Sequence, residues 1–150
     1  MLAFNVAAQS IARVSAVLLG AGAWDVAPLE IVTAGAERAT LHFTFTRGGA
    51  AGAFDFQIQA SAFSLDALIS TGAAIWSTQA LYAAGALAAG VDTTSATQRE
   101  LITYTATAAP AESFVYGPFA LSNVERLRIM ARESGNLAAP GTLQIELRIA

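Results

Sequence analysis

The chain contains no cysteine, which excludes disulfides, thiolate metal sites and a cysteine nucleophile, and leaves no marker of redox compartment. It contains one histidine, His42, so a multi-histidine metal site is excluded and any Ser-His-Asp hydrolase would have to be built around that residue. Lysine is absent as well: the eight basic residues are Arg13, Arg38, Arg47, Arg99, Arg126, Arg128, Arg132 and Arg148. GC-rich coding explains this without reference to function, and selection of the planar guanidinium for bidentate pairing at interfaces is the alternative. Charge of either sign is scarce, at 13% of residues against roughly 25% in an average soluble protein, while hydrophobic residues make up 55%.

Too few charges are present to coat an ordinary monomer. Either the chain spans a membrane or other protein covers part of its surface. No stretch of about 18 or more apolar residues runs uninterrupted, so a membrane partner is not expected and burial between subunits is favoured. Many of the apolar residues are alanine, which adds little apolar area. The net charge of −3 gives no basic field to attract nucleic acid. The eleven acids are scattered without an Asp-x-Asp-x-Asp-Gly loop, so no calcium site and no cofactor are expected.

The start of the chain, Met1 to Ala23, mimics a signal peptide ending in small residues. It lacks a basic leading region, however, and Asn5, Gln9, Ser10, Arg13 and Ser15 interrupt the apolar stretch, so it reads as mature protein. Residues 1–12 are weakly patterned and read as an N-terminal arm or an edge strand. Residues 13–150 read as one domain.

What is abundant is period-2 alternation, the mark of strands with one buried face. Val14–Leu19 reads as a strand ending in the turn Gly20-Ala21-Gly22-Ala23-Trp24-Asp25, and Leu29–Thr33 as a short strand behind Pro28. Ala39–Arg47 places Leu41, Phe43 and Phe45 on one face. Across Gly48–Gly52, Phe54, Phe56 and Ile58 do the same, which predicts a hairpin. Burial of each phenylalanine stabilises by roughly 1.5–3 kcal/mol, so four converging rings predict a core centre.

Between Ser64 and Gly90 the pattern predicts a loop and a strand around Ile75–Tyr82, with a short helix as the alternative, and residues 91–98 form a polar loop. Glu100–Ala108 resumes strand alternation. Ser113–Leu121 reads as a short aromatic strand broken at Gly117-Pro118, and Glu125–Ala150 as a closing hairpin around Ser134–Gly141. About eight short strands without a long helical period predict an all-β fold, a jelly-roll-like antiparallel β-sandwich with a small barrel as the near relative. Phe43, Phe45, Phe54, Phe56, Ile58, Leu127, Ile129, Leu143, Ile145 and Leu147 are the expected core.

Residues that could carry chemistry are few. His42 alternates with threonines on a strand face, where a solvated or interface histidine is the expected role. Glu125 and Glu133 flank one strand too far apart for an acid/base pair and read as surface salt-bridge partners of nearby arginines. Arg126, Arg128 and Arg132 form a basic stripe that Gln144, Glu146 and Arg148 could pair across strands. Gly48–Gly52 is followed by neither Lys-Ser/Thr nor a helix, so it is a turn rather than a phosphate loop. Trp24 and Trp76, with Tyr82, could offer a sugar-stacking platform, although isolated indoles in an apolar chain more often serve cores or interfaces. An enzyme is not expected. Leu2, Phe4, Trp24, Trp76, Tyr82, Arg126, Arg128 and Arg132 are the candidate interface residues.

Three segments carry a resemblance: Gly22-Ala23-Trp24-Asp25; Thr44-Phe45-Thr46-Arg47-Gly48-Gly49-Ala50-Ala51-Gly52-Ala53-Phe54; and Arg126-Leu127-Arg128-Ile129, continued by Arg132-Glu133-Ser134-Gly135-Asn136 and Pro140-Gly141-Thr142-Leu143. Together they resemble the small β-sandwich virion proteins of tailed bacteriophages, a class that includes capsid decoration proteins and other head or tail accessories. The resemblance implies a non-enzymatic structural protein of the virion, a homo-oligomer with a trimer favoured, whose partners are the major capsid protein or other virion subunits. The competing expectation is a carbohydrate- or receptor-binding module of a tail or fibre.

Overall fold

The computed structural model describes residues 8–33, 35–61, 76–79, 81–82, 98–99, 101–106, 110–121 and 123–150. Eleven strands follow in order: β1 Ala8–Arg13, β2 Glu30–Val32, β3 Arg38–Thr46, β4 Ala53–Ser61, β5 Ser77–Thr78, β6 Leu81–Tyr82, β7 Gln98–Arg99, β8 Ile102–Thr105, β9 Ala111–Ala120, β10 Arg126–Glu133 and β11 Thr142–Ile149. There is no helix among the described residues. One sheet runs β1-β11-β3-β9. The other runs β2-β10-β4, with β8 and β5 sharing the outer side of β4 end to end, and β6 pairs with β7 in a separate ribbon.

All strand ladders are antiparallel, and they nest. The first strand pairs with the last, β2 with β10, β3 with β9 and β4 with β8. A ribbon of nested pairs folded over so that β11 meets β3 and β10 meets β4 is a jelly roll. The two sheets hold nine strands rather than eight because the outer neighbour of β4 is split between β8 and β5.

Alternation decides which side chains meet inside. Along β3, Ala39, Leu41, Phe43 and Phe45 point inward, and Phe54, Phe56, Ile58 and Ala60 of β4 face them from the other sheet. Phe43 stacks on Phe114 of β9 at 4.7 Å between ring centres and tilts against Phe56 at 4.7 Å, while Phe114 stacks on Tyr104 of β8 at 4.1 Å. Offset and tilted pairs of this kind add about 0.5–1.5 kcal/mol each beyond the area they bury. All ten expected core residues are at most 1% exposed.

Both expected hairpins are corrected. β3 and β4 lie in different sheets, and so do β10 and β11; each glycine-bearing connection carries the chain from one sheet to the other. The period of 2 fixes which face of a strand is buried, and it is equally satisfied when two consecutive strands face each other across a core. The two connections pack together at one end of the sandwich, where a Cβ on Gly48 would collide with the carbonyl oxygen of Ala139.

Val14–Leu19 is not a strand. The Arg13 guanidinium is buried and donates to the carbonyls of Val17 (3.1 Å), Leu18 (3.2 Å) and Leu143 (2.7 Å), which curls residues 14–18 around it. Of that stretch only Leu19 enters the core. β9 is not broken at Gly117-Pro118 but runs ten residues through it. It is the outermost strand of its sheet, where a proline costs no ladder bond, and the register shifts opposite Ala39 and Leu41 accommodate it. Around Ile75–Tyr82 two short strands, β5 and β6, replace the single one expected; Ile75 itself, most of Ser64–Gly90 and residues 91–97 lie outside the described residues.

β1 straddles the expected boundary at residue 12. Its residues Ala8–Arg13 pair with Ile149–Ile145 of β11 as the edge strand of the first sheet.

Candidate interaction surfaces

On the outer face of the second sheet, the three arginines of β10 meet the two tryptophans. Arg132 lies opposite Asp55 of β4; its Nε donates to Asp55 Oδ2 at 2.8 Å, and Thr103 Oγ1 donates to Oδ1 at 2.7 Å. The Arg132 guanidinium sits 4.4 Å from the ring centre of Trp24. Arg128 donates from Nε to Gln59 Oε1 at 2.6 Å and lies 4.3 Å from the ring centre of Trp76. Arg126, 5.6 Å from the same ring, forms an ion pair with Glu30 of β2.

The partners expected for this stripe, Gln144, Glu146 and Arg148, are on β11 in the other sheet, so that pairing is corrected: β2 and β4 supply the partners. Burial lowers the pKa of Arg128 from its ordinary value, and the Gln59 carbonyl oxygen and the indole face oppose that cost to its charged form. Each indole therefore has one face covered by a cation of its own chain.

Glu133 also differs from expectation. It is fully buried, not a surface salt-bridge partner. Its Oε1 accepts backbone N–H bonds from Ala53 (2.9 Å), Gly135 (3.1 Å) and Asn136 (3.0 Å), and its Oε2 accepts from Gly141 (3.0 Å). One carboxylate thus ties the start of β4 to the connection between β10 and β11. Its inward direction was available from the alternation Leu127, Ile129, Ala131, Glu133, but the four donors come from the start of β4 and from the connection between β10 and β11, whose packing no local pattern encodes. Glu125, at the other end of β10, is half-buried, and its backbone bonds Ser61 and Thr33.

His42 is exposed on the outer face of β3, opposite Glu146 on one side and Val115 on the other. No group of three or more His, Cys, Asp or Glu residues suited to a metal ion occurs among the described residues. No helix among them is long and apolar enough to cross a membrane. Leu2 and Phe4 lie outside the described residues; Tyr82 contributes backbone to β6, and its side chain is likewise outside them.

Two grooves are open. One, of about 690 Å³, lies between Gly35–Arg38 and Pro118–Glu125, at the start of β3 and the end of β9. The other, of about 350 Å³, opens between the end of β1 and residues 14–29 of the connection to β2. Val14, Val17, Val26 and Leu29 line it, and the ion pair of Arg13 and Asp25, 2.9 Å from Nε to Oδ2, lies in its floor. Ile11, Leu18 and Val32 are exposed nearby in the chain. Of the nine large hydrophobic side chains exposed among the described residues, these seven fall between Ile11 and Val32; Val115 and Leu137 are the others. Sequence reasoning missed this exposure. Its signal was the apolar stretch Val14–Leu19, which reads as a strand, with Val26 and Leu29 beyond the glycine turn.

No protein-family model matches the chain, and neither a curated protein nor a solved structure matches it.

Proposed function

We propose that this protein is a non-enzymatic structural subunit of a tailed-phage virion, a capsid decoration protein that works by covering and bridging other subunits. The observation that carries the reading is the concentration of exposed apolar side chains on β1, β2 and the connection between them. Edge strands that face water are normally blunted by charge, because they template further pairing. Here Ile11 of β1 and Val32 of β2 are exposed on the edge strands, the connection between them adds Val14, Val17, Leu18, Val26 and Leu29, and the scarcity of charge over the whole chain points the same way. The resemblance of the three segments named above supplies the virion.

The mechanism follows from linkage. A subunit that binds the assembled shell in preference to its separated parts stabilises the shell by the free energy of that preference. The sugar-platform reading has less support, because the indole faces toward Arg132 and Arg128 are already occupied. The test is co-sedimentation of the purified protein with expanded shells that lack it. Saturable binding is expected; protein left wholly in the supernatant at micromolar concentration would reject decoration.

A further inference from the structure

Among the described residues, the outer face of the second sheet holds one positive charge without a counter-ion, and we propose that this site, Arg128 beside Trp76, receives an aspartate or glutamate side chain of a partner protein. Alternation puts Arg126, Arg128 and Arg132 of β10 on this face with Glu30 of β2 and Asp55 of β4, so three guanidiniums stand beside two carboxylates. Both carboxylates are taken. Asp55 binds Arg132, and Glu30, although it lies opposite Arg128 in the ladder, binds Arg126. Arg128 has a neutral partner instead: its Nε donates to Gln59 Oε1 at 2.6 Å, and it forms no ion pair among the described residues.

The chemistry of the site selects its occupant. Gln59 and the indole, with 4.3 Å from guanidinium to ring centre, orient the half-buried Arg128 side chain and leave the Nη end of its planar fork free to meet a carboxylate with two parallel bonds. Arg126 lies against the same ring at 5.6 Å, and its Nε and Nη1 are buried without an acceptor among the described residues, so donors outnumber acceptors around Trp76. A carboxylate supplies acceptors and brings no hydrogen of its own. The ring keeps water from one side of the pair, which strengthens it over a fully exposed one. The excess is a single charge. Glu30 and Asp55 flank it and repel a run of phosphates, and the net charge of −3 gives the chain no field to hold nucleic acid, so one carboxylate matches the site and a polyanion does not.

The experiment is a titration of the full chain, isotope-labelled for nitrogen NMR, with N-acetylglutamate amide and, as its neutral isostere, N-acetylglutamine amide. The arginine Nε–H signals and the Trp76 indole N–H are followed. A saturable shift is expected at Arg128 and Trp76 with the glutamate compound, at least about tenfold tighter than at the exposed Arg38 and Arg148, and none with the glutamine compound. Arg128→Gln should lose the Trp76 shift with an unchanged circular dichroism spectrum, and Arg128→Lys, which keeps the charge without the fork, should bind more weakly than the wild type. An Arg128 response no tighter than that of Arg38 and Arg148 would overturn the proposal, as would an equal response to the glutamine compound or a Trp76 shift that survives in Arg128→Gln. Tighter binding of inorganic phosphate than of the glutamate compound would overturn it too, in favour of phosphate recognition. If Arg128→Gln does not fold, the comparison of Arg128 with Arg38 and Arg148 in the wild type decides. No shell enters this titration, so the site and the co-sedimentation result fail separately.

Discussion

At the scale of single residues, the structure is held at two points by buried polar side chains that sequence patterning places only in part. Glu133 accepts four backbone N–H bonds, and an unsatisfied buried donor costs about 1–3 kcal/mol. Glu133→Ala is therefore expected to lower stability by at least about 3 kcal/mol in chemical denaturation, and Glu133→Gln by less, because its carbonyl oxygen still accepts on one side. Tyr104 provides a pH signature. Burial first, then its hydrogen bond to Glu112 and the charge of that carboxylate, push its pKa up from 10.0 to about 12. The neutral phenol is the form the fold favours, so its contribution is complete below pH 10 and is lost as pH rises from about 10 to about 12. The thermal midpoint of the wild type should fall more steeply across that window than that of Tyr104→Phe. Parallel slopes would remove Tyr104 from the account. Tyr104 was legible as inward from its alternation with Ile102, whereas its Glu112 partner was not, because Glu112 lies on β9 of the other sheet.

At the scale of strands, faces were legible and partners were not. The ten expected core positions are all buried, because burial depends on a period that local sequence carries. Pairing depends on where the chain travels between strands. Gly48–Gly52 and Ser134–Gly141 both look like hairpin turns, yet each passes from one sheet to the other, and the bond that ties them, Asn136 Nδ2 to the Ala51 carbonyl, spans 85 residues. The first stretch after β1 misled for a different reason. Its valines and leucines read as a strand before a glycine turn, but Arg13 draws the carbonyls of Val17 and Leu18 onto its guanidinium instead. Within β9 the backbone at Gly117 has φ +121°, and a Cβ there would lie 2.9 Å from the carbonyl oxygen of Ala39. Gly117→Ala is thus expected to destabilise by about 1–3 kcal/mol, read as a lower thermal midpoint with an unchanged spectrum. An unchanged midpoint would mean that the bulge relaxes.

At the scale of the whole molecule, a jelly roll normally turns polar side chains outward from both sheets. Here the outer face of one sheet follows that rule, with arginines paired to Asp55, Gln59 and Glu30, while β1, β2 and the connection between them do not. The composition led to the expectation of exposed apolar surface; the structure shows where it lies among the described residues. Deleting residues 2–10 removes Ala8, Gln9 and Ser10 from β1 and bares the end of β11 from Leu147 to Ile149. The aromatic layer on β3, β4, β8 and β9 is untouched, so the domain should stay folded with a lower midpoint. Unfolding instead would make the first strand indispensable to the sandwich. The central claim is that the protein strengthens an assembly by adding interfaces to it. The temperature at which expanded shells rupture, measured by calorimetry with and without the protein, tests this most directly: a rise that saturates with bound protein is predicted, and an unchanged rupture temperature on fully decorated shells would contradict the account.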